Sequence, residues 1–195
     1  MKHYNGATIW GVLEKYKIDQ TENGKTFVEI YVHCQHPSYG NVRILGRIWD
    51  GDLIETLKTR YKKDDEIRLE GSLQQYKGRN DVIRTSFNFY RIQPGPLKEK
   101  KAAFRLVGEV QSYQDSILKI LVRQESEGYA PKEEVFEVFV PLIVSLEMKN
   151  DPEAGKLIRV KGYMQVEEDE FGDAIGQQKP VVKQLEILES IKVPV

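Results

Sequence analysis

The segment Phe27–Cys34 (FVEIYVHC) alternates strictly. Val28, Ile30, Val32 and Cys34 fall on one face; Phe27, Glu29, Tyr31 and His33 fall on the other. A period of two predicts a half-buried β-strand. Upstream, Ala7–Tyr16 reads as a strand broken at Gly11, and Lys17–Lys25 as a polar turn with Asn23-Gly24 at its tip. Downstream, Pro37–Asn41 reads as a turn and Val42–Trp49 as a strand. Asp52–Lys63 has helical spacing, with Leu53, Leu57 and Tyr61 on one stripe, Ile54 beside it and Asp52 as N-cap. Glu66–Gln74 predicts a strand bent at Gly71, Tyr76–Asp81 a turn, and Val82–Ile92 a closing strand.

The order is three strands, a helix, then two strands in about 90 residues, which is the order of an OB-fold barrel. The second half repeats it. Leu106–Val110, Ser116–Arg123 and Val135–Val140 predict three strands, Pro141–Ala154 a weaker helical connection, and Leu157–Gln165 and Val181–Ile191 two more strands. Gly108 and Gly162 recur at the places of Gly11 and Gly71. The fold class is therefore mostly β: two tandem OB-fold-like five-stranded barrels, each with a short helix between strands 3 and 4. The expected division is 1–96, a Pro-Gly and charge-rich linker at 97–101, and 102–195.

Charge distinguishes the halves. Residues 1–96 carry 8 Lys and 7 Arg against 12 acids, whereas 102–195 carry 8 Lys and 3 Arg against 17 acids. Opposite balances point to different partners. No apolar run reaches the length of a membrane span and the N-terminus has no signal-peptide pattern, so a cytoplasmic location is expected. One cysteine, Cys34, excludes an intrachain disulfide. His33 and Cys34 are neighbours in a strand and point to opposite faces, so neither a metal nor any other cofactor is expected. No phosphate-cradling, zinc-protease or serine-hydrolase motif occurs, and the acids are scattered over turns and strand faces, so no catalytic residues are expected.

Ile67-Arg68-Leu69-Glu70-Gly71-Ser72-Leu73-Gln74, following the short helix and the charged turn Lys62-Lys63-Asp64-Asp65, resembles the bacterial and phage single-stranded-DNA-binding protein family. The family shows a tryptophan-bearing third strand, a short helix, a Lys-Gly turn, a VxVEGxL strand, a polar hairpin and a closing strand. Here Trp49 stands at the third-strand tryptophan, Gly24 falls in the first hairpin, and Lys63-Asp64 replaces Lys-Gly. The resemblance covers residues 6–93; the second half resembles the fold rather than the family. The family's acidic, phenylalanine-ending tail is absent from the closing Ile191–Val195, which fits a phage or mobile-element origin.

The residues themselves support the same function. If Val28, Ile30 and Val32 face the core, Phe27, Tyr31 and His33 face out; if Val42, Ile44 and Ile48 face the core, Arg43, Arg47 and Trp49 face out. Aromatic faces stack on bases and cations follow the phosphates, which is what single strands require. Tyr76, Lys77, Arg79 and Arg84 add a basic hairpin, and Lys15, Tyr16 and Lys17 another. The expected activity is sequence-tolerant binding of single-stranded nucleic acid, DNA before RNA, in replication or recombination. In the second module the outward residues are Ile117, Lys119, Leu121, Arg123, Val135, Glu137 and Phe139, with an acidic hairpin at Glu167–Glu170. That module is expected to pair subunits, to contact a basic protein, or only to stabilise the first. The alternatives are an OB-fold protein–protein adaptor, an RNA-binding factor, and a structural role for Phe27 or Trp49 beneath a loop or in a subunit interface.

Overall fold

The computed structural model describes residues 2–36, 40–77, 82–95, 101–124, 132–148, 151–166 and 178–188. Its elements in chain order are β1 (Tyr4–Gln20), β2 (Thr26–His36), β3 (Gly40–Ile48), α1 (Gly51–Arg60), β4 (Glu66–Lys77) and β5 (Ile83–Pro94). They continue as β6 (Lys101–Gln114), β7 (Ile117–Gln124), β8 (Lys132–Phe139), α2 (Leu142–Glu147), β9 (Leu157–Val166) and β10 (Gln178–Leu188). The order strand-strand-strand-helix-strand-strand thus occurs twice, as the sequence pattern predicts. Of the expected linker, only Lys101 is described, and it opens β6. Among the described residues no helix is long and apolar enough to cross a membrane.

The chain forms two compact units. The first holds Gly6–Ala103 and Met164–Gln178; the second holds Met1–Asn5, Phe104–Tyr163 and Lys179–Val195. In the first, strands pair in the order β2-β3-β5-β4-β1, and β1 also pairs with β2. In the second, the order is β6-β7-β8-β10-β9, with β9 also pairing with β6. The two pairing schemes are the same scheme.

β1 serves two neighbours by bending. Ala7–Val12 pair with β4 and Val12–Gln20 with β2, with a bulge between Leu13 and Lys15. β6 bulges at the equivalent place, between Val110 and Ser112. The repeated glycines sit where strands approach too closely for a side chain. A Cβ on Gly11 would lie 2.5 Å from the His33 carbonyl oxygen, and one on Gly108 would lie 2.4 Å from that of Leu121. Inside the first unit Ile9, Ile30, Ile44, Ile48, Leu57, Ile67, Leu69, Leu73 and Phe87 are wholly buried. Each such side chain contributes about 1.5–3 kcal/mol of burial free energy.

Two local expectations change. The first hairpin is longer and tighter than the polar run suggested: Ile18 pairs with Val28 and Gln20 with Thr26, leaving a turn over Thr21–Lys25. The Lys25 amide donates to Thr21 Oγ1 at 3.0 Å and the Thr21 amide to the Lys25 carbonyl at 2.9 Å. Helix α1 begins at Gly51, and its N-cap is Asp50, whose carboxylate accepts from the Leu53 amide at 2.8 Å. Asp52 instead lies in the first turn, where its charge opposes the positive end of the helix dipole.

The charged turn before β4 explains the Lys63-Asp64 pair. Asp64 has φ +74°, a left-handed conformation that favours glycine. Its amide donates to the Leu13 carbonyl at 2.8 Å, and the Leu13 amide donates to the Asp65 carbonyl at 2.9 Å. The second unit builds the same turn with Gly155 at φ +82°, bonded to Val110 in the same way. Asp64→Gly is therefore expected to stabilise the protein by about 1 kcal/mol, the cost of placing an L-residue there. A thermal melt reads it; an unchanged or lower midpoint counts against it.

Candidate nucleic-acid interface

The strands β2 and β3 carry the predicted faces. Val28 lies opposite Ile48, Val32 opposite Ile44 and Cys34 opposite Val42, and all six are at most 5% exposed. The other face sets Glu29 opposite Arg47, Tyr31 opposite Leu45 and His33 opposite Arg43. Burial pushes the Cys34 thiol up to about 12, so it stays a neutral apolar side chain in the core. His33 is exposed on the opposite face. Among the described residues no group of three or more metal-binding side chains gathers.

The outward aromatics and arginines are brought together, and their arrangement is more ordered than alternation alone implies. The Phe27 and Trp49 rings lie 4.9 Å apart, tilted by 32°. The Arg47 guanidinium lies over Phe27 at 5.2 Å, and the Lys25 ammonium over Trp49 at 5.2 Å. Tyr31 carries two cations, Lys15 and Arg43, each at 5.0 Å. Phe27 is only 9% exposed, so it backs Trp49 rather than offering its own face. Trp49 and Tyr31 are half-buried. Burial, reinforced by the nearby Glu29 charge, raises the Tyr31 phenol above its ordinary range, so the ring is neutral at physiological pH.

Each arginine is already paired. Arg43 makes a two-pronged bond to Glu14, with Nε at 2.6 Å from Oε2 and a terminal nitrogen at 2.5 Å from Oε1. Arg47 meets Glu29 at 3.1 Å. The glutamates fix each guanidinium over its ring and neutralise much of its field. Sequence reasoning missed Glu14, because the bulge after Leu13 decides which way it faces. It also missed Lys25, which the tight turn brings to Trp49. Lys17 stands opposite Glu29 and bonds Asp19 at 2.8 Å, while Tyr16 turns with Ile30 toward the other side. Trp10 is half-buried on the outward face of β1, with Lys101 at 4.4 Å and Arg68 at 5.2 Å from its ring.

The β4–β5 hairpin adds an exposed Tyr76 opposite an exposed Arg84, and Lys77 opposite Ile83. Below them the Gln75 amide donates to Thr85 Oγ1 at 3.0 Å. Arg79, also expected here, lies outside the described residues.

The second unit has the same slots with other contents. Lys119 lies opposite Glu137, Leu121 opposite Val135 and Arg123 opposite Glu133. Lys119 bonds Glu137 at 2.8 Å; Arg123 bonds both Glu133 at 2.8 Å and Glu109 at 3.0 Å. Gly11 abuts the His33 carbonyl as Gly108 abuts that of Leu121, so Lys119 and Glu137 stand where Tyr31 and Leu45 stand, and Leu121 and Val135 where His33 and Arg43 stand. The acidic hairpin Glu167–Glu170 lies outside the described residues.

No protein-family model matches the sequence, and no curated protein matches it. Solved structures do. The wild-type single-stranded DNA binding protein from Thermus aquaticus aligns over 100% of this chain and 98% of its own, with a TM-score of 0.70 at 13% identity. A deletion mutant of the same Thermus aquaticus protein aligns over 97% of this chain and 96% of its own, with a TM-score of 0.63 at 15% identity. At these identities the likeness establishes a shared fold, the OB-fold read from the element order.

Proposed function

We propose that this chain binds single-stranded DNA without sequence preference, in replication or recombination, as two tandem five-stranded OB-fold barrels. The first unit carries the site and no catalysis is involved. The observation that carries this reading is the β2–β3 face, where Trp49 against Phe27 and Tyr31 with Lys15 and Arg43 put rings and cations on one surface. A duplex hides its base faces; a single strand offers them. The fold shared with the Thermus aquaticus protein, which its name describes as a single-stranded DNA binder, agrees with this. In the second unit the outward cations Lys119 and Arg123 are bound to carboxylates around the apolar pair Leu121 and Val135, which suits contact with protein better than with phosphate.

Titration of dye-labelled oligo(dT), oligo(U) and a duplex of equal length tests the reading. Oligo(dT) is expected to bind more tightly than the duplex and at least as tightly as oligo(U). The salt dependence is expected to be shallow. Arg43 and Arg47 start out neutralised, so few counterions are released, and the log–log slope should be roughly −1 to −3. Equal affinity for duplex and single strand would overturn the stacking platform.

A further inference from the structure

We propose that Gln178 is a positioning residue for the DNA-binding face, a role that rests on the reading above. It closes the framework of β3 from a point 133 residues further along the chain. Met164–Gln178 belongs to the first unit, and within that unit the Gln178 side chain is inserted between β3 and β5. Its Oε1 accepts from the Leu45 amide at 3.1 Å; its Nε2 donates to the Leu45 carbonyl at 3.0 Å and to the Thr85 carbonyl at 3.1 Å. The amide's oxygen and both donor hydrogens are thus engaged with main chain, and the residue is 9% exposed.

The placement explains the need. β3 pairs with β5 in parallel only from Gly46 to Ile48. Just before Gly46, Leu45 turns its amide and carbonyl away from β2, and Gln178 satisfies both as a neighbouring strand would. Unbonded main-chain groups in that buried gap would be costly. No other side chain of similar length serves equally. A glutamate presents a carboxylate to two carbonyl oxygens, a lysine has no acceptor, and a methionine fills the space without bonding.

Leu45 stands opposite Tyr31, between Arg43 and Arg47. Those arginines lie over Tyr31 and Phe27. Holding Leu45 at both main-chain groups therefore sets the spacing of both cations and the plane on which bases stack. The amide does this without touching the ligand, which makes it a positioning residue.

The test uses the full chain carrying Gln178→Met or Gln178→Glu. Three readouts are taken at 25 °C: hydrogen exchange of the Leu45 amide, affinity for oligo(dT), and the melting midpoint. Both variants are expected to lose protection at Leu45. Gln178→Met should weaken oligo(dT) binding about tenfold, the scale of one to two buried hydrogen bonds, and Gln178→Glu should weaken it further. In an Arg43→Ala, Arg47→Ala background the effect of Gln178→Met should largely vanish, because Gln178 acts through those cations. Affinity equal to the parent's with only a lowered midpoint would overturn the proposal and leave Gln178 a purely structural clamp. So would an undiminished effect in the double-arginine background. Unchanged Leu45 exchange would show that the clamp does not form in solution. A parent protein that ignores oligo(dT) instead defeats the DNA reading, and the positioning role with it, while the exchange readout still reports on the clamp.

Discussion

Gly71→Ala is expected to destabilise the first unit by about 3 kcal/mol, the upper part of the range for forcing an atom into a filled site. A Cβ there would lie 2.2 Å from the Asn88 carbonyl oxygen and 3.0 Å from the Phe89 Cα. Both obstacles are main chain, so no rotamer change relieves them; β5 itself must move. Its freedom is small, because the β4–β5 pairing shifts register beside Gly71, and Phe87 and Phe89 stack at 5.7 Å in the core. Gly51→Ala is the control. Nothing lies within 4 Å of a Cβ at Gly51, which opens α1, so the midpoint should hold or rise slightly. Urea or thermal denaturation of both variants reads the contrast. If the two midpoints match, β5 yields to the methyl group and the close approach is not a constraint.

Trp49→Ala is expected to weaken binding to oligo(dT) by about 1–3 kcal/mol, the usual worth of one stacked base. The ring is half-buried, supported from below by Phe27 and approached by Lys25. In the parent protein, binding should quench tryptophan emission. The companion variant Phe27→Ala separates support from contact. Phe27 is buried to 9% exposure, so its truncation should cost mainly stability, by up to about 3–5 kcal/mol as for core phenylalanines. A Trp49→Ala protein with a much lower midpoint and intact DNA affinity would show that the ring is structural. Arg47→Ala is a poorer probe of phosphate contact than alternation suggested, because it also strands Glu29 beside the platform.

What could be read from the sequence was whatever repeats with a period or marks a turn. Alternation in FVEIYVHC assigned both faces of β2, and the glycine spacing revealed two equivalent units. Strand ends were less legible: Ile18 and Asp19 look like turn residues and become strand only by pairing with Val28 and Phe27. The cap of α1 fell on Asp50 rather than Asp52 because two acids in one short span differ only in which reaches the Leu53 amide. The site's electrostatics were out of reach. Glu14 faces Arg43 because of a bulge, and bulges carry no hydropathy signature. Gln178 has no local signal at all; its partners are 93 and 133 residues away.

The different placement of charge on the two outer faces bears on how the chain folds. A polypeptide containing two copies of one strand scheme risks pairing a strand from one copy with the complementary strand of the other, a characteristic misassembly of repeat proteins. The alternating core residues would permit the error, since both copies present aliphatic side chains at the same period. The outer residues oppose it. Were β2 to pair with β8 in the native register, Glu29 would face Phe139 and Tyr31 would face Glu137; were β7 to pair with β3, Ile117 would face Arg47 and Lys119 would face Leu45. Each correct pairing thus gains an attraction, Glu29 with Arg47 and Lys119 with Glu137, that each crossed pairing forfeits, at about 0.2–1 kcal/mol per facing pair. Summed over the two hairpins, the placement of charge acts as a sorting code that steers each strand to the partner made a few residues before or after it.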